Sequence, residues 1–210
     1  MKLVEKTITD FAEILASNAP APGGGSTAAL QGVMGAALMG MVASLTIGRK
    51  KYAEYEYLMI ESTQEAEYLR LRFTDIIDRD TEAFNGVSAA LAMPKETDDD
   101  KAARREAMQS ALKACTLTPF EIMENAMRSI EVIYKMHGKT NETAASDLGV
   151  AVLSLKAALQ GAWLNVLINL DGIKDETFTA KYREAGETLL KKTLPLADKI
   201  YQSILDGLVK

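Results

Sequence analysis

The sequence predicts an all-α protein, a multi-helix bundle with a Gly/Ala-rich helix buried at its centre. Three observations predict it. Apolar residues recur in the 3.6-residue helical period along most of the chain. No segment combines strict alternation with flanking turn signals in the way a strand needs. Glycine and proline, the strongest punctuation in a sequence, are concentrated in a few places. The 210 residues, 48% hydrophobic and 25% charged, fit one globular domain spanning 1–210 that can bury most of its apolar surface without staples.

The elements follow in order. A first helix is expected over about Thr7 to Ser17, with Phe11, Ile14 and Leu15 on one face. Ala19-Pro20-Ala21-Pro22 then forces an extended segment. Gly23-Gly24-Gly25 follows, and Ser26 reads as the N-cap of a second helix. From Ile14 to Gly48 there is no charged residue, so the run after Ser26 is long enough to span a bilayer. It is poor in Leu, Ile and Phe, and it carries Gly32, Ala36 and Gly40 at four-residue spacing. That spacing lets helix backbones approach closely, in a membrane or in a soluble bundle. A second apolar run, Leu148 to Leu170, is interrupted by Lys156 and two asparagines. Both are read as core helices rather than membrane spans. Between them, one long helical stretch is expected over Tyr52 to Met93, with room for one break. Lys95 to Arg105 reads as a loop running into a charged helix. Further helices are expected over Ala102 to Cys115, Pro119 to Met136 and Lys181 to Val209.

Composition excludes several classes of function. A net charge of -5 argues against a general affinity for nucleic acid. One cysteine, Cys115, cannot form an internal disulfide and suits a reducing cytoplasm. With one His, His137, there is no Cys/His metal cluster, and no metal site is expected. A Ser-His-Asp or Cys-His arrangement would need His137, which reads instead as a helix-end residue beside Gly138. Lys2, Glu5, Lys6, Asp10 and Glu13 break any apolar leader segment, so a cytoplasmic location is expected.

Three features could carry chemistry. The first is the stiff turn Pro22-Gly23-Gly24-Gly25-Ser26. Three glycines before a helix expose backbone N–H groups where the helix dipole is positive. It matches neither a Walker A loop nor a dinucleotide fingerprint, and it reads as an anion or polar-ring site or as a sharp turn. The second is Asp80. Leu69, Phe73, Ile76, Ala83 and Val87 form an apolar stripe, and Asp80 stands where a hydrophobe belongs. A carboxylate there is paired, or neutral, or functional; a raised pKa would suit acid/base work near neutral pH. The alternative is a carboxylate that bridges neighbouring helices. The third is Asn165 and Asn169, four apart on one face of an apolar helix. They read as recognising a flat, polar ligand or as bonding between helices. Ser146-Asp147 reads as the cap of that helix, with Asn141 in the loop before it. Lys50 and Lys51, after the Gly/Ala helix, either complement its dipole or meet ligand carboxylates. Cys115 reads as plain core.

Taken together, five motifs occur in order: Pro20-Ala21-Pro22-Gly23-Gly24-Gly25-Ser26, Gly48-Arg49-Lys50-Lys51-Tyr52, Asp80-Thr81-Glu82-Ala83-Phe84, Ser146-Asp147-Leu148-Gly149-Val150-Ala151 and Asn165-Val166-Leu167-Ile168-Asn169-Leu170. The set resembles the cyclodeaminase/cyclohydrolase family of folate one-carbon metabolism over nearly the whole chain. The resemblance implies an all-helical homodimer with no metal; no permanently bound cofactor is expected, and charge and helix composition already argue against a nucleic-acid or membrane partner. It implies a tetrahydrofolate substrate. The first expectation is conversion of 5-formimidoyltetrahydrofolate to 5,10-methenyltetrahydrofolate with release of ammonia. The alternative is hydrolysis of the methenyl bridge to 10-formyltetrahydrofolate. A third is a non-catalytic helical interaction protein on the same fold. The resemblance maps the acid/base aspartate onto Asp80. It implies that the Pro22 to Ser26 turn holds the pterin or polarises the reacting group. Asn165 and Asn169 would face the site, and Lys50 or Lys51 would meet the glutamate tail. Asn141, Ser146 and Asp147 join the binding set. The loop Thr140-Asn141-Glu142-Thr143-Ala144-Ala145 departs from the family's Gly-Asn-x-Asn-x-x pattern, keeping only its first asparagine.

Overall fold

The structure is a computed structural model and describes residues 2–209. Among the described residues there is no strand. The helices are α1 (Ile8–Leu15), α2 (Gly24–Thr46), α3 (Glu56–Ala92), α4 (Asp98–Met136), α5 (Ala145–Asp171) and α6 (Glu176–Leu208). Short 3-10 turns cover Leu3–Glu5, Lys50–Tyr55 and Glu142–Ala144.

Local chemistry sets the helix ends. Thr7 Oγ1 accepts from Asp10 N–H while Asp10 Oδ2 accepts from Thr7 N–H, a reciprocal capping box that starts α1. Thr97 and Asp100 do the same for α4. The charged helix therefore begins at Asp98, within the stretch expected to be loop. Asp175 accepts from Phe178 N–H and starts α6 five residues before Lys181. Gly48 and Gly138, at φ +74° and +76°, turn the chain after α2 and α4 in the left-handed region that glycine adopts without strain. His137 is the C-cap of α4, as its place beside Gly138 suggested.

One boundary expectation fails for an instructive reason. Two helices were expected on either side of Pro119, but α4 is continuous over 39 residues with Pro119 inside it. Proline has no N–H, so the carbonyl four residues earlier loses its helical donor. That carbonyl belongs to Cys115, and the Asn169 side chain donates to it from α5 at 2.7 Å. The partner that lets the helix pass through the proline thus comes from another helix.

The core is one cluster running from Phe11 to Ile204. Helix α2 is central: α3 and α5 flank it, α4 lies behind it, and α6 packs on α4 and α5. Small residues let the neighbours close in. A Cβ on Gly32 would lie 2.4 Å from the Phe73 ring of α3. A Cβ on Gly35 would lie 2.5 Å from Leu155 of α5. Helices α2 and α5 run antiparallel, Gly24 beside Asn165 and Thr46 beside Asn141. Both are long and apolar enough to cross a membrane, yet only 44% and 39% of their apolar windows are buried in the bundle. The remainder is half-buried or exposed, with Met34, Met41 and Leu45 of α2 and Val150, Leu153, Leu164 and Ile168 of α5 exposed.

Candidate functional site

The N-terminus of α2 meets the middle of α3 and the C-terminal part of α5 around a cavity of about 270 Å³. Gly23, Gly24 and Gly25 form one wall, Asp80 and Phe84 another, and Asn165 and Asn169 a third.

Asp80 is held by α2. Ser26 is not the N-cap; Gly23 is, and Ser26 is the third helical residue, fully buried. The three glycines let the chain enter the helix early, and the hydroxyl turns inward to α3. Ser26 Oγ donates to the Ile77 carbonyl at 3.0 Å and to Asp80 Oδ2 at 3.1 Å. The Ser26 backbone N–H also supports the carboxylate. Asp80 therefore sits at the positive end of a 23-residue helix. Burial nevertheless dominates and raises its pKa above the ordinary carboxylate value, with the Ser26 bonds pulling the other way. No cation pairs with Asp80 among the described residues. The bridging role and the cavity-facing role are thus both filled by one side chain.

The glycines are explained by space rather than by flexibility. A Cβ on Gly25 would lie 2.1 Å from Asp80 Oδ1, and one on Gly24 would lie 3.0 Å from Asn165 Nδ2. Gly25 admits the carboxylate and Gly24 admits the carboxamide. Pro22 is buried behind the turn, while Pro20 and Ala21 line the cavity.

Asn169 spends both side-chain N–H groups on the protein, and Asn165 spends one. Asn165 Nδ2 donates to Gly161 O at 2.8 Å, and Asn169 Nδ2 donates to Cys115 O and to Asn165 O. Bonding within and between helices is therefore real, and among the described residues neither carboxamide oxygen has a donor. Two acceptors, each part of a cavity-lining side chain, suit a ligand edge rich in N–H groups. Cys115 lines the same cavity, and burial with the nearby Asp80 charge pushes its thiol up to about 11, so it stays protonated. Phe84 and Ile168 complete the apolar wall. Phe84 lies four residues after Asp80 on α3, a spacing that the sequence displayed. Ile168 carried no signal of its own.

The other expected residues lie at the far end of α2, roughly 35 Å away by its length. Lys51 pairs with Glu142 at 2.8 Å, and the Glu142 N–H donates to the Tyr52 hydroxyl. Lys50 is exposed. Asn141 bonds locally: its N–H donates to Thr46 Oγ1, and its Oδ1 accepts from Thr143 N–H and Oγ1. Ser146 and Asp147 lie in the first turn of α5, but the helix begins after Ala144 with no side-chain cap. Asn141 caps the preceding 3-10 turn instead. His137 bonds Ser203 at this same end, far from Asp80 and Cys115. Among the described residues no three His, Cys, Asp or Glu side chains form a metal-binding group.

A family model described as formiminotransferase-cyclodeaminase matches residues 7–188. A methenyltetrahydrofolate cyclohydrolase of Methylorubrum extorquens is 42% identical over 95% of this chain and 96% of its own length. The formimidoyltransferase-cyclodeaminase of Sus scrofa is 32% identical over 90% of this chain, the match covering 35% of that longer protein. The crystal structure of formiminotetrahydrofolate cyclodeaminase from Thermotoga maritima has a TM-score of 0.81 at 29% identity, over 98% of both chains. Matched over most of its length by this model and by these relatives, the chain belongs to the formiminotransferase-cyclodeaminase family.

Proposed function

We propose that this single domain is a folate enzyme working on the carbon held between N5 and N10 of tetrahydrofolate, and that it hydrolyses 5,10-methenyltetrahydrofolate to 10-formyltetrahydrofolate. The observation that carries the reading is Asp80: a largely buried carboxylate with a raised pKa that, among the described residues, has no ion pair and faces a cavity with two unspent amide acceptors. Similarity over the full length to a free-standing cyclohydrolase favours hydrolysis.

Asn165 and Asn169 offer their oxygens to the N–H groups of the pterin edge. The methenyl bridge is an amidinium cation, and the Asp80 carboxylate is the charge beside it. Asp80 accepts a proton from an attacking water as the C–O bond forms at the bridge carbon. It returns that proton to N5 as the C–N5 bond breaks. The hydroxyl proton of the tetrahedral carbon leaves to solvent, giving the formyl group on N10 and one net proton. Ser26 holds the carboxylate in place through both steps. Neither step calls for a permanent cofactor, and the reading carries with it a cytoplasmic homodimer.

Cyclodeamination, placed first by the sequence, is the second reading, favoured by the likeness to the free-standing cyclodeaminase of Thermotoga maritima. There N10 attacks the formimidoyl carbon, and protonated Asp80 gives its proton to the departing ammonia. The test is an absorbance assay with purified protein. Loss of the methenyl chromophore faster than in buffer supports hydrolysis. Gain of that chromophore with ammonia from 5-formimidoyltetrahydrofolate supports cyclodeamination. Activity with neither substrate sinks both and leaves a non-catalytic helical scaffold.

A further inference from the structure

Two of the long helices carry a proline in their interior. Pro195 of α6 is exposed, and so is Lys191, whose carbonyl loses its helical donor. Pro119 of α4 is buried, and the carbonyl it deprives of a donor belongs to Cys115, a residue that lines the Asp80 cavity. The helix itself gains nothing from this, since no residue is less favourable in a helix interior than proline. What Pro119 does create is a bare acceptor at a fixed point, and Asn169 Nδ2 meets it at 2.7 Å. The same nitrogen reaches the Asn165 carbonyl at 2.8 Å, so both of its hydrogens are taken. Turning the carboxamide over would set Oδ1 against these two carbonyl oxygens with no hydrogen between them. One orientation remains, and in it the oxygen of a cavity-lining side chain is the atom left for a ligand.

Resting on the folate reading, we propose that Pro119 is a positioning residue: by withholding an N–H from the Cys115 carbonyl, it fixes the Asn169 carboxamide with its oxygen free for the N–H groups of the pterin. Asn169 then offers the ligand an acceptor only. An N–H edge is admitted. A carbonyl or carboxylate edge meets two acceptors, Oδ1 and the Asp80 carboxylate of the same cavity, and is refused. The proline thereby sets which edge of the ligand enters. With any other residue at 119, the backbone N–H of that position takes the Cys115 carbonyl. One Asn169 N–H then comes free, and the carboxamide presents either its donor or its acceptor to the cavity. Pro119 acts wholly through Asn169.

Pro119→Ala tests this, with Pro195→Ala as its control; each restores one helical N–H, and both are expected to fold. With whichever of the two folates the wild type turns over, Pro119→Ala is expected to raise KM about 3- to 10-fold, the contribution of one neutral hydrogen bond. Its kcat is expected to be unchanged, because the pterin edge is held alike in the ground and transition states. Pro195→Ala should change neither. Asn169→Ala should raise KM to a similar extent, and the double variant Pro119→Ala/Asn169→Ala no further, since the same interaction is lost in each. An unchanged KM in Pro119→Ala, a lower kcat in place of a higher KM, effects that multiply in the double variant, or an equal effect from Pro195→Ala overturns the proposal. The tether also has a readout that needs no substrate. The side-chain amide hydrogens of Asn169, assigned in NMR spectra by their loss in Asn169→Ala, are expected to exchange slowly in the wild type and faster in Pro119→Ala. Fast exchange in the wild type overturns the tether even if Pro119→Ala fails to fold. If the wild type turns over neither folate, the folate reading fails and the pterin role with it, while amide exchange still judges whether Pro119 fixes Asn169.

Discussion

Replacing Asp80 with Asn separates catalysis from folding, because the structure assigns the two roles different magnitudes. Asparagine keeps the shape and an acceptor for Ser26 Oγ, so the link between α2 and α3 survives in weaker form. Exchanging a hydrogen bond to a charged group for a neutral one costs about 1 kcal/mol. Against this stands relief from a buried charge. Burial raises the folded pKa of Asp80, so its contribution to stability is complete below the unfolded value of about 4 and is lost as pH rises through the raised folded value. At neutral pH the charged form is therefore disfavoured in the fold, and its removal offsets the weaker bond. The net change is expected within about 1 kcal/mol, or a shift in Tm of no more than about 4 °C for a chain of this length. Catalysis has no such compensation. A positioned acid/base group contributes about 10²- to 10⁴-fold, roughly 3 to 5 kcal/mol of barrier. Thermal unfolding at pH 7 and pH 5, beside turnover of methenyltetrahydrofolate, measures both. A variant that keeps full turnover refutes the catalytic role, and one that loses its helical signal shows that the carboxylate is chiefly structural.

Three further outcomes are expected. Gly25→Ala should abolish turnover and lower Tm, since its Cβ would lie 2.1 Å from Asp80 Oδ1 and overpacking costs about 1–3 kcal/mol; Gly24→Ala, with 3.0 Å to Asn165 Nδ2, should be milder in both assays. If hydrolysis uses ionised Asp80, kcat should fall on the acid side with a midpoint above the ordinary carboxylate value, and a pH–rate profile without that limb in the wild type would remove Asp80 as the base. Cys115, its thiol pushed up to about 11, should alkylate with iodoacetamide far more slowly at pH 8 than a free thiol, and protection by a folate would place the ligand in the cavity it lines.

Much of this molecule was written in one dimension. The helical class followed from the apolar period, and the small residues Gly32, Ala36 and Gly40 marked α2 as a helix that its neighbours can approach closely, as the Phe73 ring does at Gly32. Asp80 was visible as a carboxylate in an apolar stripe, and the Gly-rich turn as an entry into a helix. These signals are local: a period, a spacing, a residue of the wrong polarity. What depends on contact between distant segments could not be read. Pro119 looked like a boundary because the donor that rescues its orphaned carbonyl sits fifty residues later, on Asn169. Ser26 looked like a cap because its true partner, Asp80, is on another helix. The clustering of Gly24, Gly25, Asp80, Asn165 and Asn169, and the exile of Lys50, Lys51, Asn141, Ser146 and Asp147 to the far end, was decided by the antiparallel pairing of α2 and α5. The sequence by itself determined which helix faces are apolar, because polarity repeats along a helix. Only the tertiary structure decided which of them meet, because that depends on how rigid helices pass one another in space.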